Sequence, residues 1–258
     1  MKKKVISLAI FTAAVSGSVI AADWDASGSG GTVELGGTVT VKAVNSPWMV
    51  KTGSAVNNLD AKIESDGRSA TVILGTDISV LSIRNEALFT GKSGISPQIN
   101  YGNAVQVDSF NNGYAPLTLE VKNSEGEKIG TASTSLFAVG IVSYTGRSAT
   151  DRSLQSMYSP SEGYGFWGGL GKTSSSAADY ASYPFSFVTE AAEYYTTQGV
   201  SGPGKKGGTK FTYTAAKYSS YYASGIEKSK SIVITLDKPA TSDAITWKAS
   251  LPVTVSYA

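Results

Sequence analysis

The chain of 258 residues contains no cysteine and no histidine. Without them, Ser-His-Asp and Cys-His catalysis, thiolate chemistry and most zinc sites are excluded. No disulfide can close a loop, so a compact fold must be held by packing and hydrogen bonds alone. Charged residues make up only 16% of the chain. One long apolar run occurs, and it lies in Met1 to Ala21. Lys2, Lys3 and Lys4 precede an apolar core from Val5 to Val15, and Val19-Ile20-Ala21 fits a small-residue cleavage site. That is the pattern of a secretory signal over residues 1–21, and its apolar run falls short of the ~20 residues that a membrane span needs. The three leader lysines account for more than the formal net charge of +2. The remainder carries 19 basic and 20 acidic residues, which argues against nucleic acid as a partner. For an exported protein, unused disulfides are informative, because the compartment would have allowed them.

What is present is alternation. In Ile245 to Tyr257, residues Ile245, Trp247, Ala249, Leu251, Val253, Val255 and Tyr257 share one parity, and Thr246, Lys248, Ser250, Thr254 and Ser256 share the other. Period two predicts a strand with one buried and one solvated face. Pro252, on the polar parity, removes one ladder donor and predicts a bulge or an edge. At the other end, Val33, Leu35, Val39 and Val41 alternate around Gly37, behind the soft run Ala26 to Gly31. Two amphipathic end strands, the first on a flexible tether, suggest strand exchange between subunits. A long apolar strand with a free edge is an aggregation site unless something pairs with it.

Between the ends, strands are expected over Ala70–Leu74, Ile78–Ile83, Ile95–Tyr101, Ala104–Phe110, Leu117–Lys122 and Ser231–Leu236, with a hairpin turn at Asn123–Lys128. Leu136–Tyr144 is a continuous apolar run, as in a strand buried on both faces. Short strands at this spacing indicate an all-β fold of sandwich type. The composition changes at Gly146. From Tyr158 to Tyr222 there are ten Tyr, four Phe and one Trp, more than half of the aromatics of the chain. Phe185–Gln198 reads as a helix stopped by Gly199, and Ser201–Thr209 as an exposed loop.

Candidate chemistry is sparse. Gly171-Lys172-Thr173 suggests a phosphate loop, but the glycine required five positions earlier is Phe166. Glu162, Asp179, Glu190 and Glu193 offer carboxylates for glycoside hydrolysis, against a solvated face as the simpler explanation. The expectation is a protein that is not an enzyme and needs no metal or cofactor. The aromatic block reads partly as core and partly as a carbohydrate surface, because sugar C–H faces pack on rings while polar side chains meet the hydroxyls. Phe166, Trp167, Tyr194, Tyr195, Lys205, Tyr218 and Tyr221 are the candidate glycan contacts. Lys205-Lys206 would suit an acidic sugar.

These features carry a family resemblance. The leader Ala14 to Ala21 followed by Ala22-Asp23-Trp24, the segment Val33 to Val39, the hairpin Val121 to Gly126, Tyr222-Ala223-Ser224-Gly225-Ile226 and the ending Trp247 to Tyr257 resemble the K88/F41-type fimbrial subunits of the chaperone–usher pathway. The resemblance implies an incomplete immunoglobulin-like sandwich that lacks its last strand and is completed by donor-strand exchange, a form of β-augmentation. It implies a division into a signal (1–21), a donor extension (22–41), a first part of the pilin core (42–146), an inserted receptor-binding subdomain (147–225) and closing strands (226–258). Val33, Leu35, Gly37 and Val39 would form the donor strand. Trp247, Ala249, Leu251, Val253, Val255 and Tyr257 would line the acceptor groove and the chaperone-contact strand. The implied partners are sibling subunits, a periplasmic chaperone, an outer-membrane usher and host-cell glycans, and the implied destination is a fimbrium on the bacterial surface.

Overall fold

The computed structural model describes residues 46–63, 67–148, 150–202, 204–241 and 244–258. The signal and the donor segment Val33–Val39 lie outside the described residues. The strands are β1 (Trp48–Thr52), β2 (Ser69–Ile73), β3 (Ile78–Asn85), β4 (Phe89–Thr90), β5 (Pro97–Asn100), β6 (Tyr114–Lys122), β7 (Lys128–Thr145), β8 (Arg152–Met157), β9 (Lys205–Gly207), β10 (Lys217–Ile226), β11 (Ser231–Leu236), β12 (Lys248–Ala249) and β13 (Thr254–Tyr257). One short helix, α1 (Ser186–Ala191), accompanies them. The fold is all-β, an immunoglobulin-like sandwich of the fimbrial kind.

β7 is the strand that the others share. Its first half pairs with β6 on one side and with β11 on the other, and its second half pairs with β8 and β10. β10 continues outward to β3 and then β1, and β11 continues to β2. β10 and β11 both run antiparallel to β7, so they act as one long strand interrupted between Ile226 and Ser231. β6 and β11 show the predicted alternation of buried and exposed positions, although Val233 of β11 is apolar and faces outward. By contrast, residues 136–143 of β7 and 218–226 of β10 are buried without a break. The apolar run at Leu136 needs no alternation because both of its faces are covered.

One face belongs to the main core, which holds Leu136, Ala138 and Val142 with Leu81, Ile83, Leu117 and Ile234. Phe137, Val139 and Ile141 point the other way and form a second core with Phe187, Val188, Tyr221 and Ala223. The Ser/Tyr-rich stretch therefore supplies the cover for the outer face of β7 and β10. It also reaches into the main core. Trp48 meets Phe89, Phe166 and Phe211 at ring distances of 4.9, 5.6 and 5.0 Å, and Phe166 meets Tyr222 at 5.3 Å. Burial of each such ring contributes roughly 1.5–3 kcal/mol. Trp48 Nε1 donates to Ile95 O at 2.6 Å, so its polar atom is satisfied.

Four expectations need correction. Ala104–Phe110 is not a strand, because a single 3-10 turn at Val107–Ser109 folds it back. The helix is six residues rather than fourteen, ending after Ala191, and the following Tyr194-Tyr195 lies in irregular chain. Asp77 on the turn before β3 takes the part of a missing N-cap, accepting from Ser186 N at 2.7 Å and Lys228 N at 2.8 Å. Burial alone would raise the carboxyl pKa of Asp77, but these two N–H donors hold it below its ordinary value. Within Ser201–Thr209, Lys205–Gly207 pairs in parallel with β8 instead of looping freely. The single terminal strand is divided into β12 and β13, with Pro252 in the interval.

A hydrogen-bonded chain of hydroxyls crosses the main core. Tyr101 Oη lies 2.8 Å from Tyr222 Oη and 2.7 Å from Ser224 Oγ, and Tyr222 donates to Gly169 O at 3.0 Å. Burial pushes the Tyr101 phenol up to about 12 and the Tyr222 phenol well above its usual value. A phenol whose folded pKa exceeds its unfolded value of ~10 stabilises fully below that pH and loses the contribution as pH climbs toward the folded value. Melting temperature should therefore hold to about pH 10 and fall steeply toward pH 12. Thermal melts across that range check this, and Tyr101→Phe should flatten the fall; an unchanged slope would remove the hydroxyl chain as its cause. A second expectation concerns Gly168, which has φ +79° and whose added Cβ would sit 2.0 Å from Ile99 O. Gly168→Ala should cost about 2 kcal/mol or more and lower Tm by roughly 4–8 °C, read by calorimetry.

Candidate functional site

The C-terminal strands form a groove wall. β12 pairs with β6 through Lys248–Lys122 and Ala249–Val121. β13 pairs with β5 through Val255–Ile99 and Tyr257–Pro97, and Ala258 exchanges two 3.0 Å bonds with Ser96. Among the described residues neither β12 nor β13 has a partner on its other edge. From Trp247 onward the burial alternates residue by residue. Trp247, Ala249, Leu251, Val253, Val255 and Tyr257 are half-buried, and every residue between them is exposed. Ile245 breaks the expected parity at 40% exposure. Trp247, Leu251, Val253, Val255 and Tyr257 pack on the main core, yet none is fully covered. β11 shows the contrast: its inward residues Ile232, Ile234 and Leu236 are 4–8% exposed. The same pattern is thus sealed in β11 and left open along β12 and β13. Pro252 sits against Gly102, where φ is +60° and a side chain would press on the proline ring.

The candidate glycan contacts separate by burial. Phe166 and Tyr218 are main-core rings at 0% and 3% exposure, with Tyr218 pushed up to about 12 by burial, so neither can meet a ligand. Lys205 is exposed on β9. Its neighbour Lys206 is committed to Ala177 O and Asp179, which leaves Lys205 as the exposed member of the pair. Tyr194 is exposed and lies under the Arg84 guanidinium at 4.5 Å. Tyr195 and Tyr221 meet edge to face at 5.4 Å and, with Tyr180 and Tyr183, line a cleft of about 650 Å³ beside α1. The Tyr195 hydroxyl is buried without a hydrogen-bond partner. Burial is the main force holding the Tyr195 and Tyr221 phenols protonated. Trp167 is half-buried in a different cavity, with the Lys172 ammonium over its ring at 5.2 Å. Sequence reasoning missed Tyr180 and Tyr183. Their only signal was membership of the aromatic block.

Three of the four carboxylates considered for hydrolysis are engaged in ion pairs. Glu190 pairs with Lys51 on β1, and Arg84 on β3 pairs with Glu193 at 2.7 Å and donates to Glu190 O at 2.8 Å. These contacts brace α1 against the sandwich and account for both glutamates. Asp179 is held by Lys206 at 3.0 Å. Lys172, from the rejected phosphate-loop motif, pairs with Asp108.

The whole sequence, residues 1–258, matches the family model described as fimbrial, major and minor subunit. It is 27% identical to K88 fimbrial protein AB of Escherichia coli over 288 aligned residues and 28% identical to the F41 fimbrial protein of the same organism over 283, each covering both chains in full. The family model covers the whole sequence and both relatives align with it over their full length, and the chain belongs to the K88-type family of fimbrial major and minor subunits.

Proposed function

We propose that this fimbrial subunit polymerises by accepting an extended strand from a neighbouring copy along the open edge of β12 and β13. The half-burial of every second residue from Trp247 to Tyr257 carries this reading, because core-facing side chains on an unpaired edge are what a strand-shaped partner would cover. Val33, Leu35, Gly37 and Val39 supply the matching alternation in the donor. Three apolar side chains would contribute about 1.5–3 kcal/mol each on burial, before the cost of ordering the tether. Gly37 would face a shallow position. Before assembly, a periplasmic chaperone strand occupies the edge, and an outer-membrane usher receives the complex after export directed by residues 1–21. The finished protein stands on the cell surface as part of a fimbrium.

We also infer that residues 147–225 bind host glycans, through the tyrosine cleft beside α1. The half-buried rings of Tyr180, Tyr183 and Tyr195 along the cleft offer C–H packing to a sugar. A second reading is favoured by Phe166, Tyr218 and Tyr221: much of the aromatic block is core, as in a purely structural subunit.

In cells supplying chaperone and usher, electron microscopy should find fibres with the intact chain and none when residues 22–41 are deleted. Gly37→Leu should likewise abolish fibres while the chaperone complex still forms; normal fibres from it would contradict the proposed register. On a glycan array, Tyr180→Ala should weaken binding at least tenfold, about 1.4 kcal/mol. A blank array for the unaltered protein would favour the purely structural subunit.

A further inference from the structure

We propose that Asn112 is a deamidation site that the docked Ser/Tyr-rich cover keeps closed, so that chains lingering without the cover convert it to isoaspartate and lose the ability to fold. Asn112-Gly113 is the one Asn-Gly pair in the sequence. Glycine has no Cβ, so its backbone nitrogen is the least hindered nucleophile that can follow an asparagine. In deamidation that nitrogen attacks Cγ of the asparagine. The Gly113 N–H proton and the side-chain amide nitrogen depart as ammonia, and a five-membered succinimide remains. Water then opens the ring at either carbonyl. One product is aspartate; the other is isoaspartate, with the main chain rerouted through Cγ. No oxidant, metal or cofactor enters the balance.

The electrophile is open, because Asn112 is exposed and solvent reaches its carboxamide. The nucleophile is not. Asn111 and Tyr114 exchange backbone bonds of 2.8 and 2.9 Å, which puts Asn112 and Gly113 at the centre of a two-residue hairpin. Their φ angles of +51° and +86° fit a type I′ turn, for which Asn-Gly is the favoured pair. Gly113 N donates to Ser176 O at 2.9 Å and Asn112 N donates to Ser175 O at 3.2 Å, so the cover takes both amides of the turn. From the other side Ala138 N on β7 donates to Gly113 O at 2.8 Å. A nitrogen whose proton is held by a carbonyl, in a peptide fixed on both sides, cannot swing toward Cγ.

The shield belongs to the cover and not to the hairpin itself. Ser175 and Ser176 lie in the 3-10 turn Ser174–Ser176, where Thr173 and Ser176 cap each other's backbone. Gly113 is buried beneath this turn, and a Cβ added to it would lie 2.8 Å from Ala178 Cβ and 2.9 Å from Phe137 Cε2. Isoaspartate lengthens the main chain by a methylene at this tight point. It breaks the pairing of Asn111 with Tyr114 and draws Gly113 away from Ser176 and Ala138. Aspartate leaves the backbone as it was and suits the same turn.

The test incubates the purified full chain folded and, in parallel, unfolded in guanidinium, followed by peptide mass mapping and isoaspartyl methylation. In the unfolded chain the peptide carrying Asn112 should gain the mass difference between an amide and an acid and should accept methyl groups. In the folded chain this should run roughly tenfold slower or more, since it then proceeds only through local opening. Ser176→Ala should speed the folded-state reaction. Thr173→Ala loosens the same turn from an exposed position and serves if Ser176→Ala does not fold. Chains bearing isoaspartate at 112 should refold in lower yield than the parent, while Asn112→Asp should refold as the parent does. Equal rates in the two states, an intact Asn112 in the unfolded chain, undiminished protection in the folded cap variants, or full refolding of isoaspartate-bearing chains would each overturn the proposal.

Discussion

Burial on both faces of β7 is the constraint from which the architecture follows. A strand that is apolar at every position from Leu136 to Val142 cannot stand at a sandwich surface, because its outward side chains would meet water. Something must cover Phe137, Val139 and Ile141, and α1 with its flanking aromatic chain does so. Phe137 is met by Tyr183 at 4.8 Å and by Phe185 at 5.1 Å. The Ser/Tyr-rich stretch is therefore needed for the fold before it serves any ligand. Its rings divide between two cores, and only a remainder stays near the surface. With no disulfide available, this double packing and the buried hydroxyl chain from Tyr101 to Gly169 take over the work of cross-linking.

The same sandwich that seals β7 leaves its other margin unfinished. Along β12 and β13, inward residues touch the core without being enclosed by it. Covering them stabilises any partner that can present an extended backbone with apolar residues at every second place. An open apolar edge of this kind is also a liability, since it is a template for pairing with other strands.

Much of this was legible in the sequence, for reasons that differ by element. Period two along Trp247–Tyr257 fixed which side chains face inward, and the observed burial follows it residue by residue. Leu136–Tyr144 announced its two-sided burial by lacking any polar face. What failed were features decided by tertiary contact. The break at Pro252 depends on β6 and β5 being separate partners for one strand. The helix after Phe185 ends at Ala191, and the chain beyond it packs Tyr195 against Tyr221. Aromatic density could not tell Phe166, wedged between Trp48 and Tyr222, from Tyr195 at a cleft. The Trp167 cavity left no local trace, since Asn100, Asn103 and Ser256 approach it from unrelated parts of the chain.

The ion pairs that clamp α1 have a mechanical meaning. Lys51 on β1 and Arg84 on β3 grip Glu190 and Glu193 from strands that also pair with each other. Any displacement of α1 would have to move both side chains, and through them the β1–β3 ladder whose backbone hydrogen bonds hold the two strands together. Loaded in this way, many bonds resist together instead of opening one after another. The brace thus ties a short helix and its loops to a paired strand ladder that is stiffer than they are alone.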